Sequence, residues 1–401
     1  MRPFKTTIAF SDALRLTLGA AQPIARTEAL PLGSCDARVL ARDITSTVDV
    51  PGFDRAAMDG YAVRALDTTD ARPDAPRVLT CRSRVYAGDA VGRAIGPGEC
   101  AEIATGAPIP PGADAVVMVE HTDRDGDAVR IKLAAPAGQH IGPRAGDVAT
   151  GAVVARAGQT LTPAAIGAIA AVGIQTVHVY ARPTVALVTT GNEIVEAGHP
   201  IGPGQVYDVN RITLAALVAR HGGEATALAA AGDAIDELSR VLTDAAHHDI
   251  VVFSGGSSVG DRDLVLDVLR ARGEVLYHGI AVKPGKPTAF AVVGGLPVFA
   301  MPGNPTSCLS NGYLLLVPFL RLVARLPAWQ ARTLDLPLAS AIHSPADRHQ
   351  FFTVRVIDGR VEPAFRGSSA ITSMADADGY IEIPPGKGEF AEGDVVRVTF
   401  F

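Results

Sequence analysis

Hydrophobic and polar positions change period several times along the chain. Residues 6–30 read as a helix followed by extended chain: Thr6 and Asp12 accompany a loose apolar face through Leu14, Leu18 and Ile24. Residues 51–140 carry a different texture. Pro51-Gly52, Gly88-Asp89, Gly96-Pro97-Gly98 and Pro110-Pro111-Gly112 punctuate short runs at Arg77–Tyr86, Cys100–Thr105, Ala115–Glu120 and Val129–Leu133. Turn residues at that density between β-type runs predict an all-β region.

From residue 184 to 326 the rhythm is strand, polar loop, helix. The apolar run Pro183–Val188 ends at Thr189-Thr190-Gly191. Asn210 is expected to cap a helix whose apolar positions include Ile212, Leu214, Leu217 and Val218, and Gly222-Gly223 is expected to stop it. A second helical pattern covers Asp236–Ala246, a buried-strand run follows at Ile250–Phe253, and another helix is predicted at about 262–272. Pro297–Met301 reads as a further strand, and the apolar stretch after Pro302-Gly303-Asn304-Pro305 as one long helix to about Arg325. This alternation predicts a doubly wound α/β domain, with a mostly parallel sheet covered by helices on both faces. Residues 327–401 return to short β runs at Thr333–Leu338, Phe351–Ile357, Tyr380–Ile383 and Val395–Phe400, the pattern of a small barrel or sandwich.

Composition narrows the class. With 401 residues the chain is long enough for two to four domains, and 48% hydrophobic residues exclude a disordered protein. A net charge of −6 gives no global basic field, so nucleic acid is not the expected partner. Asp12 and Arg15 interrupt any apolar leader, so no signal peptide is expected. The longest apolar stretch, Thr288–Met301, is broken by Gly294, Gly295 and Pro297, so no membrane span is expected. Cys35, Cys81, Cys100 and Cys308 form no Cys-x-x-Cys pair and read as reduced thiols of a cytoplasmic protein.

In an open parallel sheet, ligands bind beyond the carboxyl ends of the strands. The loops at those ends share one polar, glycine-rich character: Thr189–Glu193, Ser254–Asp263, Lys283-Pro284-Gly285-Lys286-Pro287 and Pro302–Ser307. The glycines of Ser254-Gly255-Gly256-Ser257-Ser258-Val259-Gly260 let the backbone approach an anion ahead of a helix start, although such a string also serves as a plain turn. Only five of the 36 basic residues are lysine, and two of them, Lys283 and Lys286, fall within four positions. Each precedes a proline that stiffens its loop, which suits a phosphate or another oxyanion; the bland alternative is a solvated surface loop. The carboxylates Asp59, Asp147, Glu193, Asp208, Asp233, Asp261 and Asp263 serve either as turn and cap residues or as hard oxygen ligands for Mg²⁺. There is no His-Glu-x-x-His, no Gly-x-Ser-x-Gly elbow and no Walker A motif.

Taken together and in order, these strings resemble the molybdopterin molybdenumtransferases, bacterial molybdenum-insertion enzymes similar to the gephyrin E domain. The resemblance opens with Pro51-x-Phe53 and Met58-Asp59-Gly60-Tyr61-Ala62. It continues through Ala104-Thr105-Gly106-Ala107-Pro108-Ile109-Pro110, Gly112–Val117, Arg144-x-Gly146-Asp147, Thr190-Gly191-x-Glu193, Asp208-x-Asn210 and Gly232-Asp233. It ends with Ser254-Gly255-Gly256-x-Ser258-x-Gly260, Lys283–Pro287, Pro302–Pro305 and Gly367-Ser368, so it covers about residues 6–386.

The resemblance implies a homodimer of multidomain chains. A discontinuous elongated domain would occupy 1–50 and 141–180, a β-rich domain 51–140, a molybdopterin-binding α/β domain 181–326, and a β-barrel-like domain 327–401. The implied reaction inserts molybdate into adenylylated molybdopterin, releasing AMP, with Mg²⁺ as cofactor. The implied catalytic residues are Asp59, Asp147, Glu193, Asp233, Asp261, Lys283 and Lys286, with Glu193, Asp261 and Asp263 as metal ligands. Substrate would be bound by Thr105, Gly191, Asn192, Asp208, Asn210, Ser254, Gly255, Gly256, Ser258, Gly260, Pro302, Asn304, Pro305, Ser368 and Ser369. Asp59 and Asp147 would complete the pocket of the dimer partner. The resemblance also implies protein partners: an upstream adenylyltransferase and recipient molybdoenzymes. One position departs from the family pattern, which carries Asp where Asn192 stands. As a metal-facing residue Asn192 would weaken Mg²⁺ binding, and as a turn residue it would change nothing. A second reading of the same fold is a gephyrin-like scaffold that clusters other proteins.

Overall fold

The computed structural model describes residues 7–229, 234–255 and 263–401. Asp233, Gly256, Ser258, Gly260 and Asp261 therefore lie outside the described residues. The chain divides into two compact units, one of residues 1–28, 37–39 and 180–401, the other of residues 29–36 and 40–179.

The first unit is built on a six-stranded sheet. Its strands are β1 (Thr184–Thr189), β2 (Glu224–Ala227), β3 (Ile250–Ser254), β4 (Glu274–His278), β5 (Ala289–Val293) and β6 (Leu296–Met301), in the order β2-β1-β3-β6-β5-β4. The first three pairings are parallel and the last two antiparallel. The parallel part matches the sequence pattern. The antiparallel β4 and β5 fall outside it, because the Gly294-Gly295 turn makes β5 and β6 a tight hairpin.

Burial on both faces explains why β1 and β3 are continuous apolar runs. One face packs Val185, Leu187, Val252, Phe290 and Phe299 against Phe319 and Leu320. The other packs Ala186, Val251, Phe253 and Val298 against Leu238, Leu242, Val265 and Leu269. The long apolar helix is α-helical over Pro305–Asn311 and again over Val317–Val323, with a π-helical stretch, Gly312–Leu316, between them. By length and composition Pro305–Val323 is apolar enough to cross a membrane, yet 72% of it is buried inside this unit. It is the core helix of the α/β layer.

A second sheet belongs to the carboxyl-terminal part: β7 (Thr333–Pro337), β8 (His349–Ile357), β9 (Gly379–Ile383) and β10 (Val395–Phe400), in the order β8-β9-β10-β7. Its outer neighbour is contributed by the α/β part, where Val282–Lys283 pairs in parallel with β8. The sequence pattern separates these two parts at about residue 327, but the backbone joins them through that strand.

In the other unit, a six-stranded sheet contains Ala115–Met118, Gly60–Val63, Glu99–Ile103, Arg77–Val85, Ala128–Ile131 and Thr122–Asp125, in that order. Its two faces bury separate clusters, one around Tyr61, Val117 and Ile131, the other around Ala62, Ile103 and Val116. A further core gathers Leu32, Cys35 and Leu40 with Leu161, Ile169 and Val177, so chain before and after the β region packs together.

Candidate active site

A cavity of about 930 Å³ crosses the carboxyl ends of β1, β3 and β6. Its floor follows from the sheet register. Thr189, Ser254 and Met301 lie side by side, and the chain leaves each strand into the cavity wall. Gly255 adopts φ +98°, and a Cβ at this position would overlap the carbonyl oxygen of Thr190, so only glycine allows the loops after β1 and β3 to approach so closely.

Asp208 anchors the wall above β1. Its Oδ1 accepts from the Arg211 amide at 3.0 Å and its Oδ2 from the Thr189 hydroxyl at 2.7 Å, with the Arg211 guanidinium 3.3 Å away. Asp208, not Asn210, is therefore the cap of the Val209–Arg220 helix. It sits outside helical geometry, three residues before the amide it accepts. Asn210 is instead buried in the first turn, where its Nδ2 donates to the Gly303 carbonyl at 2.8 Å. Its Oδ1 and the buried Thr190 hydroxyl have no hydrogen-bond partner among the described residues, and both residues line the cavity.

Two short paired strands, Ile194–Val195 and Val206–Tyr207, form a flap on the same side. Glu193, Ile194, Val206 and Tyr207 line the cavity. Gly191 and Asn192 do not. The Ile194 amide donates to the Gly191 carbonyl at 3.2 Å, closing a turn that holds Asn192 exposed. That placement agrees with the turn reading of Asn192.

The opposite side carries the lysines. Gly285 has φ +104°, and a Cβ there would overlap the Asn311 carboxamide. Asn311, fully buried, donates through Nδ2 to the Gly285 carbonyl at 2.9 Å and to the Thr288 hydroxyl at 2.5 Å. Asn311 therefore fixes the Lys283–Lys286 turn from beneath, at the junction where the helix passes into its π-helical stretch, and such junctions recur at functional sites. Arg348, just ahead of β8, adds a third cation to the lining. It also forms a paired contact with Asp347, whose carboxyl is held below its ordinary range by that guanidinium.

The remaining wall joins two loops. Asn304 Nδ2 donates to the Ser368 hydroxyl at 3.2 Å, and the Thr306 amide and hydroxyl donate to the carbonyls of Ser368 and Ala370. Pro302, Pro305, Ser368 and Ser369 line the cavity alongside Phe365. Asn311, Arg348 and Phe365 carried no signal in the sequence, since their proximity to the lysines comes from a π-helical junction and from a sheet closed by distant strands.

Asp263 behaves differently from the expectation that it ligates metal. It caps the Leu264–Arg272 helix, with Oδ1 accepting from the Leu266 amide at 3.0 Å and Oδ2 lying 3.6 Å from His278 Nε2, and it does not line the cavity. Burial pushes its carboxyl up to about 6. Among the described residues no three His, Cys, Asp or Glu side chains gather into a metal-holding group.

In the other unit, Asp59 and Thr105 meet. Asp59 Oδ1 accepts from the Thr105 amide at 2.7 Å and hydroxyl at 2.9 Å, and both bonds hold its carboxyl below the ordinary range. Asp147 is exposed, its amide donating to the Val50 carbonyl at 3.0 Å.

Three regions of the chain match known family regions in order. Residues 8–173 match the MoeA N-terminal region (domain I and II), 186–322 the probable molybdopterin binding domain, and 335–401 the MoeA C-terminal region (domain IV). Molybdopterin molybdenumtransferase 2 of Mycobacterium tuberculosis is 35% identical over 383 residues, covering 92% of this chain and 94% of the relative. The chain belongs to the molybdopterin molybdenumtransferase family. The Haemophilus influenzae molybdopterin molybdenumtransferase is 32% identical over 387 residues, covering 94% of each chain. Two solved structures of the molybdopterin biosynthesis moeA protein from Pyrococcus horikoshii share the fold with a TM-score of 0.85. They are 37% and 30% identical and cover 98% and 99% of this chain, respectively. In family terms, the cavity described above lies between the probable molybdopterin binding domain and the C-terminal region.

Proposed function

We propose that this chain inserts molybdenum into molybdopterin, taking adenylylated molybdopterin and molybdate and releasing AMP and molybdenum cofactor. The observation that carries this reading is the convergence of Lys283, Lys286 and Arg348 on one cavity at the carboxyl ends of a parallel sheet, in a chain of this family. Both substrates are anions, and fixed cations in a partly enclosed site stabilise charge that shifts during reaction.

The geometry supports a role for each group. Lys283 and Lys286, on a turn stiffened by Pro284 and Pro287 and fixed by Asn311, neutralise molybdate or the substrate phosphates. Arg348 adds charge to the same pole. The Ser368–Asn304 pair presents a hydroxyl and a carboxamide to the substrate. Asp208 acts at one remove by orienting Thr189 and the flap base.

The donor set fits Mg²⁺ of the kind held by one or two carboxylates plus substrate phosphates. Both oxygens of Asp208 are already engaged, which leaves Glu193 as the cavity-lining carboxylate to hold the ion, acting with Asp261. When bound, Mg²⁺ supplies charge neutralisation at the phosphoanhydride.

Asp59, Thr105 and Asp147 are assigned here to a pocket completed by a second copy of the chain, which makes the working unit a homodimer. The protein is taken to act in the cytoplasm, receiving substrate from an adenylyltransferase and passing cofactor to recipient molybdoenzymes. The test is subunit complementation. Asp59→Asn and Lys283→Ala proteins, each inactive alone, recover activity when co-folded if the two residues serve one pocket from different chains. No recovery in the mixed dimer contradicts the shared pocket.

A further inference from the structure

The cavity is polarised, and its end away from the lysines has a chemistry the anionic groups do not use. Following the sheet order, β1, which leads into the flap, is separated from β5, which the lysine loop enters, by β3 and β6. Three strand spacings put about 14 Å between those two ends. At the flap end Tyr207 is 43% exposed and lines the cavity beside Ile194 and Val206, and its ring stacks on no other aromatic side chain among the described residues.

The flap is held firmly. The Val206 amide donates to the Glu193 carbonyl at 2.9 Å, the Asp208 amide to the Val195 carbonyl at 2.8 Å, and Arg211 pairs with Glu196 at 3.0 Å. An exposed aromatic on a braced strand is a preorganised surface for a flat ligand, because the backbone that carries it is already fixed and a tyrosine ring turns about only two side-chain bonds. Toward the middle of the same cavity lie two buried acceptors without partners among the described residues, Asn210 Oδ1 and Thr190 Oγ1. A buried acceptor left unpaired is costly, and a ligand N–H would satisfy it.

We propose that Tyr207 is the stacking platform for a planar heteroaromatic ring of the substrate, with the Asn210 carboxamide oxygen accepting from the ring's N–H edge. The inference rests on the molybdenum-insertion reading, whose substrate carries two such rings, adenine and pterin, at its ends with phosphates between them. Tyr207 thereby sets specificity for the organic part of the substrate, while Lys283 and Lys286 serve its charge.

The experiment measures binding of AMP, neopterin monophosphate and ribose 5-phosphate to the full chain by calorimetry. The proteins compared are the unsubstituted one and its Tyr207→Ala, Tyr207→Phe and Lys286→Gln variants, each checked for an unchanged melting temperature. Tyr207→Ala is expected to weaken AMP, neopterin monophosphate or both by about tenfold or more and to leave ribose 5-phosphate within twofold. Tyr207→Phe keeps the ring and is expected to keep the affinity. Lys286→Gln weakens all the ligands that the unsubstituted protein binds, ribose 5-phosphate included. The ligand that responds to Tyr207 identifies which ring it carries. The proposal is overturned if Tyr207→Ala leaves both ring ligands within twofold while Lys286→Gln still weakens them, which would leave the lysine reading standing. It is equally overturned if the unsubstituted protein binds neither ring ligand better than ribose 5-phosphate.

Discussion

His349 donates its backbone N–H to the carbonyl oxygen of Ala281 at 2.9 Å, two residues before Lys283. On the other side of the same segment, the Ile8 amide donates to Gly279 and the Ala281 amide to Ile8. The lysine loop is therefore gripped between the amino-terminal segment and the carboxyl-terminal sheet. The His349 ring stacks on Phe10 at 4.5 Å and its Nε2 lies 2.9 Å from Glu382. His349→Ala removes both ring contacts and leaves the backbone bond. We expect KM for molybdate to rise about threefold to tenfold with a smaller change in kcat, as for a residue that positions others. Steady-state kinetics with molybdate varied checks the split.

Asn311→Ala removes both Nδ2 hydrogen bonds, to the Gly285 carbonyl and the Thr288 hydroxyl, and leaves the Thr288 hydroxyl's own bond to the Gly285 carbonyl to hold the turn. A loss of about 1–3 kcal/mol in unfolding free energy is expected, together with weaker phosphate binding, because the lysine turn loses its support. Urea denaturation and phosphate titration read the two effects separately. Asn311→Asp, which keeps the shape but puts a carboxylate against the Gly285 carbonyl, should be worse than alanine in both.

Lys283→Ala and Lys286→Ala each remove a cation from a supported turn. Molybdenum insertion should fall by at least tenfold in each, with the melting temperature within about 2 °C of the parent, since both side chains are only half-buried and their truncation leaves the backbone pairing of the loop in place. A large fall in melting temperature alongside lost activity would assign these lysines to folding.

His221 is buried, its ring edge-on to Trp329, and neither ring nitrogen has a hydrogen-bond partner among the described residues. Burial, with Arg321 and Arg220 nearby, pushes its pKa down to about 4. The unfolded chain binds a proton near pH 6.5 and the folded chain does not, so this contribution to stability is full above pH 6.5 and is lost as pH falls toward 4. His221→Phe is expected to flatten the dependence of melting temperature on pH across that window. An unchanged slope would place the acid sensitivity elsewhere.

How much of this was legible in the sequence differs from residue to residue. The β1 and β3 strands and the polar loops after them announced themselves through apolar runs ending in Thr-Thr-Gly and Ser-Gly-Gly, because both faces of that sheet are buried. The lysine loop stood out through the scarcity of lysine. The helix cap was misplaced by two residues, since Asp208 and Asn210 are equally good caps in a string and only the backbone angle decides which side chain reaches the Arg211 amide. Asp263 read as a ligand and is a cap for the same reason. Arg348 and Asn311 were invisible: one reaches the cavity through a strand pairing some 65 residues distant in sequence, the other through burial beneath a turn it does not adjoin.

The decisive assay incubates purified protein with adenylylated molybdopterin, molybdate and Mg²⁺ and follows AMP release together with reconstitution of an apo-molybdoenzyme. Both are expected to appear, to require molybdate and Mg²⁺, and to vanish in Lys283→Ala. A folded, dimeric protein that yields neither would contradict molybdenum insertion and favour the gephyrin-like scaffold.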